Sequence, residues 1–302
     1  MTETQYVGVP SGLIDAVLHL VSTGPVPLGG YSLAEMVAVD AVVDFLDEIP
    51  SEEEVGEAVR SLAARQLLVA MPDTDRLQVR GDLGIAVVFQ QRARSVIDAR
   101  VTGTGPGQPW RTLLLPQSDG VALEVLIDAL GVHELSLREI DDALRRLQDR
   151  LPHGEPEREA ANPDEVLAAS ERSALVTVTR YSTSGSTETA ELSADIVLAA
   201  QDDRLYTFTR DPDDPERLVS QGLNDDDAIE LIRSLAVPEG DGGGVRDSGA
   251  EQPAGRMAKI RTTIMRRRAG SRPARCLKIQ KGRPGCSRAA LRSTCCSVTC
   301  TP

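Results

Sequence analysis

The chain has 302 residues, with 46 acidic and 33 basic side chains and three histidines, a formal charge of −13 at neutral pH. That length holds one large domain or two small ones. Hydrophobic residues at 41% and charged residues at 26% are the composition of a folded globular protein, which excludes wholesale disorder. No apolar run approaches the roughly 20 residues needed to cross a bilayer as a helix, which excludes a helical membrane protein. The charge is divided unevenly: residues 1–237 carry 19 Arg, no Lys and 42 acids, a net −23, whereas residues 238–302 carry 14 basic and 4 acidic residues, a net +10.

Residues 1–31 are loosely patterned, with a short apolar helix at 12–21 that is interrupted by Asp15 and His19 and preceded by no basic residue. That is not a secretory signal peptide. Ser32 is placed to cap a helix running to about Asp47, with Leu33, Met36, Val37, Val43 and Leu46 at helical spacing and Asp40 interrupting the face. Pro50 stops it. Ser51 with Glu54 forms a capping box, in which hydroxyl and carboxylate satisfy free backbone N–H groups reciprocally. The helix it opens, 52–67, places Val55, Val59, Leu62 and Leu67 on one face. Leu68–Ala70, the turn Asp73–Thr74–Asp75, and Leu77–Val79 complete a helix-then-hairpin order, that of a winged-helix unit over about 51–80.

Residues 82–93 read as a helix opened by Asp82, with a buried strand at Ile85–Phe89 as the alternative. Ser95–Thr102 alternates apolar and polar residues and predicts a strand, Gly103, Gly105 and Gly107 a loop, and Arg111–Gln117 a second strand. Asp119 then predicts a helix over 120–130 that Gly131 ends. Ser136 with Glu139 reads as a second capping box, ahead of Leu137, Ile140, Leu144, Leu147 and Leu151 at amphipathic helical spacing. A polar loop fills 152–162, and Asn162–Pro163 starts a short helix with Val166 and Leu167. Three strands are predicted at 174–182, 188–199 and 204–210, with a turn at Ser184–Gly185–Ser186. Asn224 caps a last helix whose Asp225, Asp226 and Asp227 lie at the positive end of its dipole and whose Ala228, Ile229, Ile232 and Leu235 form its buried stripe. The order helix, strand, turn, strand, helix occurs twice, so the expected fold is α+β with two pseudo-symmetric halves of antiparallel strands and helices.

Pro238, Gly240 and Gly242–Gly243–Gly244 mark a linker into a segment without helical or strand period, so 238–302 reads as a disordered basic tail. All five cysteines, Cys276, Cys286, Cys295, Cys296 and Cys300, lie there, as do all three lysines. Three other readings stay open for it. One is a nucleic-acid or membrane arm centred on Arg266, Arg267 and Arg268. Another is a zinc site, although the cysteine spacings lack the paired C-x₂-C pattern. The third is a frame-shifted extension of a GC-rich gene, which the absence of lysine in the body suggests. The cysteine-free body suits a reducing compartment, and the expected localisation is cytoplasmic.

No residue set declares catalysis. His19, His133 and His153 lack metal-ligand spacing, and no G-x-S-x-G elbow is present. The glycine loop is followed by Pro109 and a strand rather than the helix N-terminus that a phosphate cradle needs. The clusters Asp202–Asp203, Asp211–Pro212–Asp213–Asp214 and Asp225–Asp226–Asp227 do not follow a calcium-loop pattern. Accordingly no catalytic, cofactor or metal residue is nominated. An enzyme using a carboxylate pair stays as one alternative. A winged-helix transcriptional regulator is another. However, Glu52, Glu53, Glu54 and Glu57 against Arg60 and Arg65 give its recognition helix the wrong sign for DNA. Nucleic acid is therefore disfavoured for the body and open only for the tail. A protein partner, gripped in a groove or along a sheet edge, is the reading that survives.

Two segments resemble the EspG family, cytoplasmic chaperones of actinobacterial type VII (ESX) secretion. One is 82–102, DLGIAVVFQQRARSVIDARVT, which is similar to the family's helix followed by a first sheet strand. The other is 174–237, where ALVTVTRYSTSG, RLYTFTRDPDDPERL and DDAIELIRSLA resemble its C-terminal hairpin and closing helix. The resemblance implies a pseudo-twofold α+β fold and a non-enzymatic chaperone that binds the helical tip of a PE–PPE protein pair. It transfers no binding residue. The 68–79 hairpin does not align with the family, and the basic tail has no counterpart in it.

Overall fold

The computed structural model describes residues 11–41, 49–71, 77–184 and 187–237, all within the compact unit Met1–Glu251. In chain order the elements are α1 (Ser11–Val21), β1 (Val26–Ser32), α2 (Leu33–Ala38), α3 (Glu52–Ala64), β2 (Leu68–Ala70), β3 (Leu77–Val79) and α4 (Gly81–Arg92). There follow β4 (Ser95–Val101), β5 (Arg111–Pro116), β6 (Val121–Ile127), β7 (Val132–Glu139), α5 (Ile140–Gln148), β8 (Glu155–Pro156) and α6 (Pro163–Ala169). The last are β9 (Arg172–Ser184), β10 (Thr187–Gln201), β11 (Arg204–Arg210), β12 (Leu218–Ser220) and α7 (Asp225–Ala236).

Ten strands form one sheet in the order β1-β7-β6-β5-β4-β9-β10-β11-β12, with β8 added in parallel to β11. β2 and β3 pair separately as a hairpin. All other pairs of the large sheet are antiparallel. The middle strands are apolar on both faces, as in the runs LLL of β5 and VALEVLI of β6, because helices cover both sides there. By the pleat, Leu113 and Leu115 of β5 join one cluster and Leu114 joins another. On the front face, α1, α2, α3 and α4 cover the β1-β7-β6-β5 side, and α6 covers the β10–β12 side with Val166, Ala199 and Phe208. On the back face, α5 and α7 touch each other and seal Ile97, Ala99, Val176, Val178, Ile196 and Leu198.

The fold is α+β, but the doubled order as read from the sequence does not hold, because the first run has the strand β6 where its closing helix was expected; what repeats is a longer element order. The run α4-β4-β5-β6-β7-α5 is followed by α6-β9-β10-β11-β12-α7. The two four-strand meanders meet where β4 pairs antiparallel with β9, from Ser95↔Arg180 to Val101↔Ala174. α5 and α7 lie on the back face, and α4 and α6 on the front.

Several elements differ from expectation. The predicted helix 120–130 is β6 and its turn. Its β-branched run is buried from both sides, and Gly120 and Gly131, at φ +78° and +75°, serve tight turns rather than helix caps. Asp119, read as a cap, instead takes a hydrogen bond from Arg92 Nη2 at 2.7 Å. The second capping box also fails. Ser136 and Leu137 lie in β7, and α5 starts at Ile140 after an N-cap, Glu139, whose side chain makes no capping bond. Likewise His133 sits within β7, buried, rather than between two helices.

The Ser32 and Ser51 boxes both form. Even so, α2 ends at Ala38, because Asp40 adopts φ +56° and turns the chain out of the helix. Val43 and Leu46 lie outside the described residues. α3 stops at Ala64, with Gln66 at φ +60°, so Leu67 follows the helix instead of completing its face. Residues 82–92 are helical, with Ala93 as the C-cap, and the strand alternative is wrong. β1, β7, β8 and β12 had no predicted strand counterpart. The tail at 238–302, with its cysteines and Arg266–Arg268, lies outside the described residues, as does the Asp73–Thr74–Asp75 turn.

Candidate functional site

Among the described residues the front helices pack chiefly on β1, β6 and β7 at one side and on β10 and β12 at the other, with β4 and β9 between them as the floor of a trough. The pleat decides which side chains line it. Ile97, Ala99 and Val101 of β4 and Ala174, Val176 and Val178 of β9 point to the back core. Asp98, Arg100, Leu175 and Thr177 therefore point forward. Leu175 is 38% exposed, an unusual amount for a leucine in the middle of a sheet.

Two rows of contacts cross the floor. Register places Asp98 opposite Thr177, and Thr177 opposite Asp195 of β10. Arg111 of β5, only 2% exposed, donates from Nε and Nη2 to the two carboxylate oxygens of Asp98 at 2.9 and 2.8 Å. Arg100 reaches the same carboxylate at 3.1 Å and stays 39% exposed. Thr177 Oγ1 donates to Asp195 Oδ1 at 2.8 Å, and Arg210 Nε of β11 donates to Asp195 Oδ2 at 2.6 Å. Arg210 also bonds the Pro215 carbonyl at 2.6 Å and remains 47% exposed. Paired, hydrogen-bonded charges of this kind can occupy a sheet face without the full desolvation cost of lone ones. Arg111 and Arg100 thus hold Asp98, and Arg210 holds Asp195.

A second charged cluster lies on the back. Glu124 of β6 is fully buried and accepts from Arg138 Nε at 2.7 Å, Arg150 Nη1 at 2.9 Å and Ser136 Oγ at 3.2 Å. Arg146 Nε stands 3.7 Å away, and Arg138 also reaches Asp142 at 2.9 Å. This cluster pins α5 onto the sheet.

The histidines are not gathered. His19 is exposed on α1. His153 Nδ1 lies 2.9 Å from Asp225 Oδ2. His133 Nδ1 lies 3.0 Å from the Gly131 carbonyl, and its Nε2 is buried with no hydrogen-bond partner among the described residues. Burial holds its imidazole below the usual value, and the nearby Arg111 acts in the same direction. Among the described residues no group of three His, Cys, Asp or Glu could hold a metal ion, and no helix is long and apolar enough to cross a membrane.

The acidic runs serve backbone geometry. Asp202 and Asp203, at φ +50° and +61°, form the β10–β11 turn. Asp211 and Asp214 accept from the backbone N–H of Asp213 and Glu216, and Asp225–Asp227 open α7 under the Asn224 cap. In α3, Arg60 is taken by Glu57 and Arg65 by Glu35. A dent between α1 and α4, bordered by Leu13, Ile14, Val17, Ile85, Val88 and Phe89, is apolar throughout.

Sequence reasoning nominated none of the trough residues. The available signal was a charged residue at one parity of a strand whose other parity is wholly apolar, as in VIDARV and SADIV. No known protein family matches this chain, and no curated protein matches it either.

Proposed function

We propose that the protein is a cytoplasmic, non-enzymatic chaperone of the EspG type, which receives a helical partner such as a PE–PPE pair destined for secretion. The observation that carries this is the front trough: a sheet whose two central strands lie between helical walls and present a mixed floor of Leu175, Thr177 and half-exposed Arg100. A helix, about 10–12 Å across with its side chains, matches a floor two strands wide with its margins, since strands lie about 4.8 Å apart. The fold the resemblance implies is α+β, as is the fold described here, which is consistent with the reading.

The arrangement favours binding over chemistry. Both trough carboxylates are engaged by guanidinium groups, a poor setting for moving protons. The order α3-β2-β3 does match a winged helix. However, Arg60 and Arg65 are each occupied by an acid, leaving little for phosphates.

Affinity purification of the full chain from its native host, with mass spectrometry of what accompanies it, tests the proposal. A stoichiometric helical secreted pair is expected. Retention of the protein on duplex DNA at about 150 mM salt without any protein partner would overturn it in favour of the regulator.

A further inference from the structure

Independently of the trough, we infer that the outer face of α1 is a contact between two copies of this chain, with the two α1 helices antiparallel about a twofold axis. The helix carries more apolar residues than its core contact uses. Val17 and Val21 are buried, and Ile14 and Leu18 pack beside them. Leu13, Ala16 and Leu20, at i, i+3 and i+7, form a second stripe along one flank of the helix. Leu13 is 42% and Leu20 52% exposed, and Ala16 is exposed between them.

Shape, charge and size commit this face to a second copy. The stripe carries a knob, Leu20, and beside Leu13 a hole, the apolar dent whose far wall is Ile85 and Val88 of α4. Antiparallel pairing that sets Leu20 of one copy against Leu13 of the other seats each knob at the other copy's dent. A twofold axis makes the two contacts identical. It also brings the small Ala16 side chains together at the axis, where the helix backbones come closest.

Charge points the same way. Residues 1–237 hold 19 Arg and 42 acids, so two copies repel each other over most of their surface. Residues 11–34 carry one formal charge, Asp15, and in α4 Asp82 and Arg92 cancel. Copies of like charge meet at least cost over such a neutral face. The size sets the affinity. α1 and α4, of 11 and 12 residues, are roughly 16–18 Å long. Side by side, at about 10 Å between axes, they present roughly 350–500 Å² per copy. A total of about 700–1,000 Å² belongs to weak, transient contacts rather than obligate ones. The dimer should therefore be half-formed only at a concentration on the order of 100 µM.

Sedimentation equilibrium of the full chain from about 5 to 300 µM tests this, with a reducing agent present so that the tail cysteines form no disulfides. A reversible monomer–dimer equilibrium is expected. It should be unchanged or tighter at about 0.5 M salt than at about 0.15 M, because screening removes repulsion and leaves the apolar contact. Ala16→Glu and Ala16→Lys should each weaken it more than about tenfold, since each sets like charges together at the axis. Ala16 faces solvent, so both variants keep the fold. An equimolar mixture of the two should associate again, because Glu then faces Lys, a rescue that only a twofold α1 contact gives. Three results would overturn the inference. A monomer throughout that range would leave the face to another protein. A dimer lost at high salt would assign the association to the basic tail and acidic body. A dimer that both variants leave unchanged would put the contact elsewhere.

Discussion

Glu124→Gln is the sharpest probe of what holds the sheet to its back helices. The glutamate is fully buried and accepts two charge-assisted hydrogen bonds, from Arg138 at 2.7 Å and Arg150 at 2.9 Å, with Ser136 at 3.2 Å and Arg146 close by. Glutamine keeps the shape and one acceptor oxygen but removes the charge, so three guanidiniums are left around a neutral group. Breaking a buried pair by deleting one partner typically costs about 3–5 kcal/mol. Arg138 and Arg150 retain some solvent contact, which lowers the expected loss to about 2–4 kcal/mol. With a urea slope of about 2–3 kcal/mol/M for a domain of this size, the midpoint should fall by roughly 1 M. Glu57→Gln, which removes a fully solvated pair with Arg60, is the internal control and should change stability by less than about 0.5 kcal/mol. Equal, small shifts for the two variants would refute the view that Glu124 anchors α5.

Two further measurements bear on the fold. Burial keeps His133 below the ordinary imidazole value of 6.5, so the folded state prefers it neutral and the unfolded chain binds the extra proton. Its contribution is complete above that value and declines as the pH drops through 6.5 toward the depressed folded value. Urea midpoints should therefore fall between pH 8 and pH 5.5 in the native protein and change less in His133→Gln; equal slopes would rule this residue out as the source. Gly103 has φ +70°, and a Cβ there would stand 2.5 Å from the Glu171 carbonyl oxygen, whereas Gly107, at φ +77°, has open space around it. Gly107→Ala should cost about 1 kcal/mol of backbone strain, and Gly103→Ala about 2 kcal/mol or more, because the β9 approach must also shift. A thermal melt that ranks the two variants the other way would contradict that packing.

Capping chemistry and strict alternation were legible in the sequence where they acted alone. Ser32 and Ser51 cap as their residues suggest, Asn162 and Asn224 likewise, and the alternation of 174–182 and 204–210 predicts β9 and β11. The reading failed where two signals competed. VALEVLI sits between Asp119 and Gly131, which look like helix ends. Yet its residues are buried on both faces of a central strand, a state that leaves no alternation to read. HELSLRE carries both a helical spacing into α5 and a strand alternation, and cross-strand pairing with β6 decided between them. β1 was hidden by Pro27, Gly29 and Gly30, residues that only an edge strand with a register shift accommodates. The trough was invisible for a different reason. Asp98 and Asp195 are far apart in the chain, and only the β4-β9-β10 register makes them neighbours of Thr177.

The junction of β4 with β9 also constrains how the molecule is made. Ile97 finds its partner Val178 only after the first half and the connecting segment have been synthesised. Until then β4 has a bare hydrogen-bonding edge, and Ile97 and Ala99, fully buried in the finished sheet, lack their cover from β9 and α7. A nascent chain halted before Arg172 would carry that open edge into a crowded cell, where strand edges recruit one another. Folding is thus a race between translation of the second meander and self-association of the first, and slow codons ahead of β9 would tilt it toward aggregates.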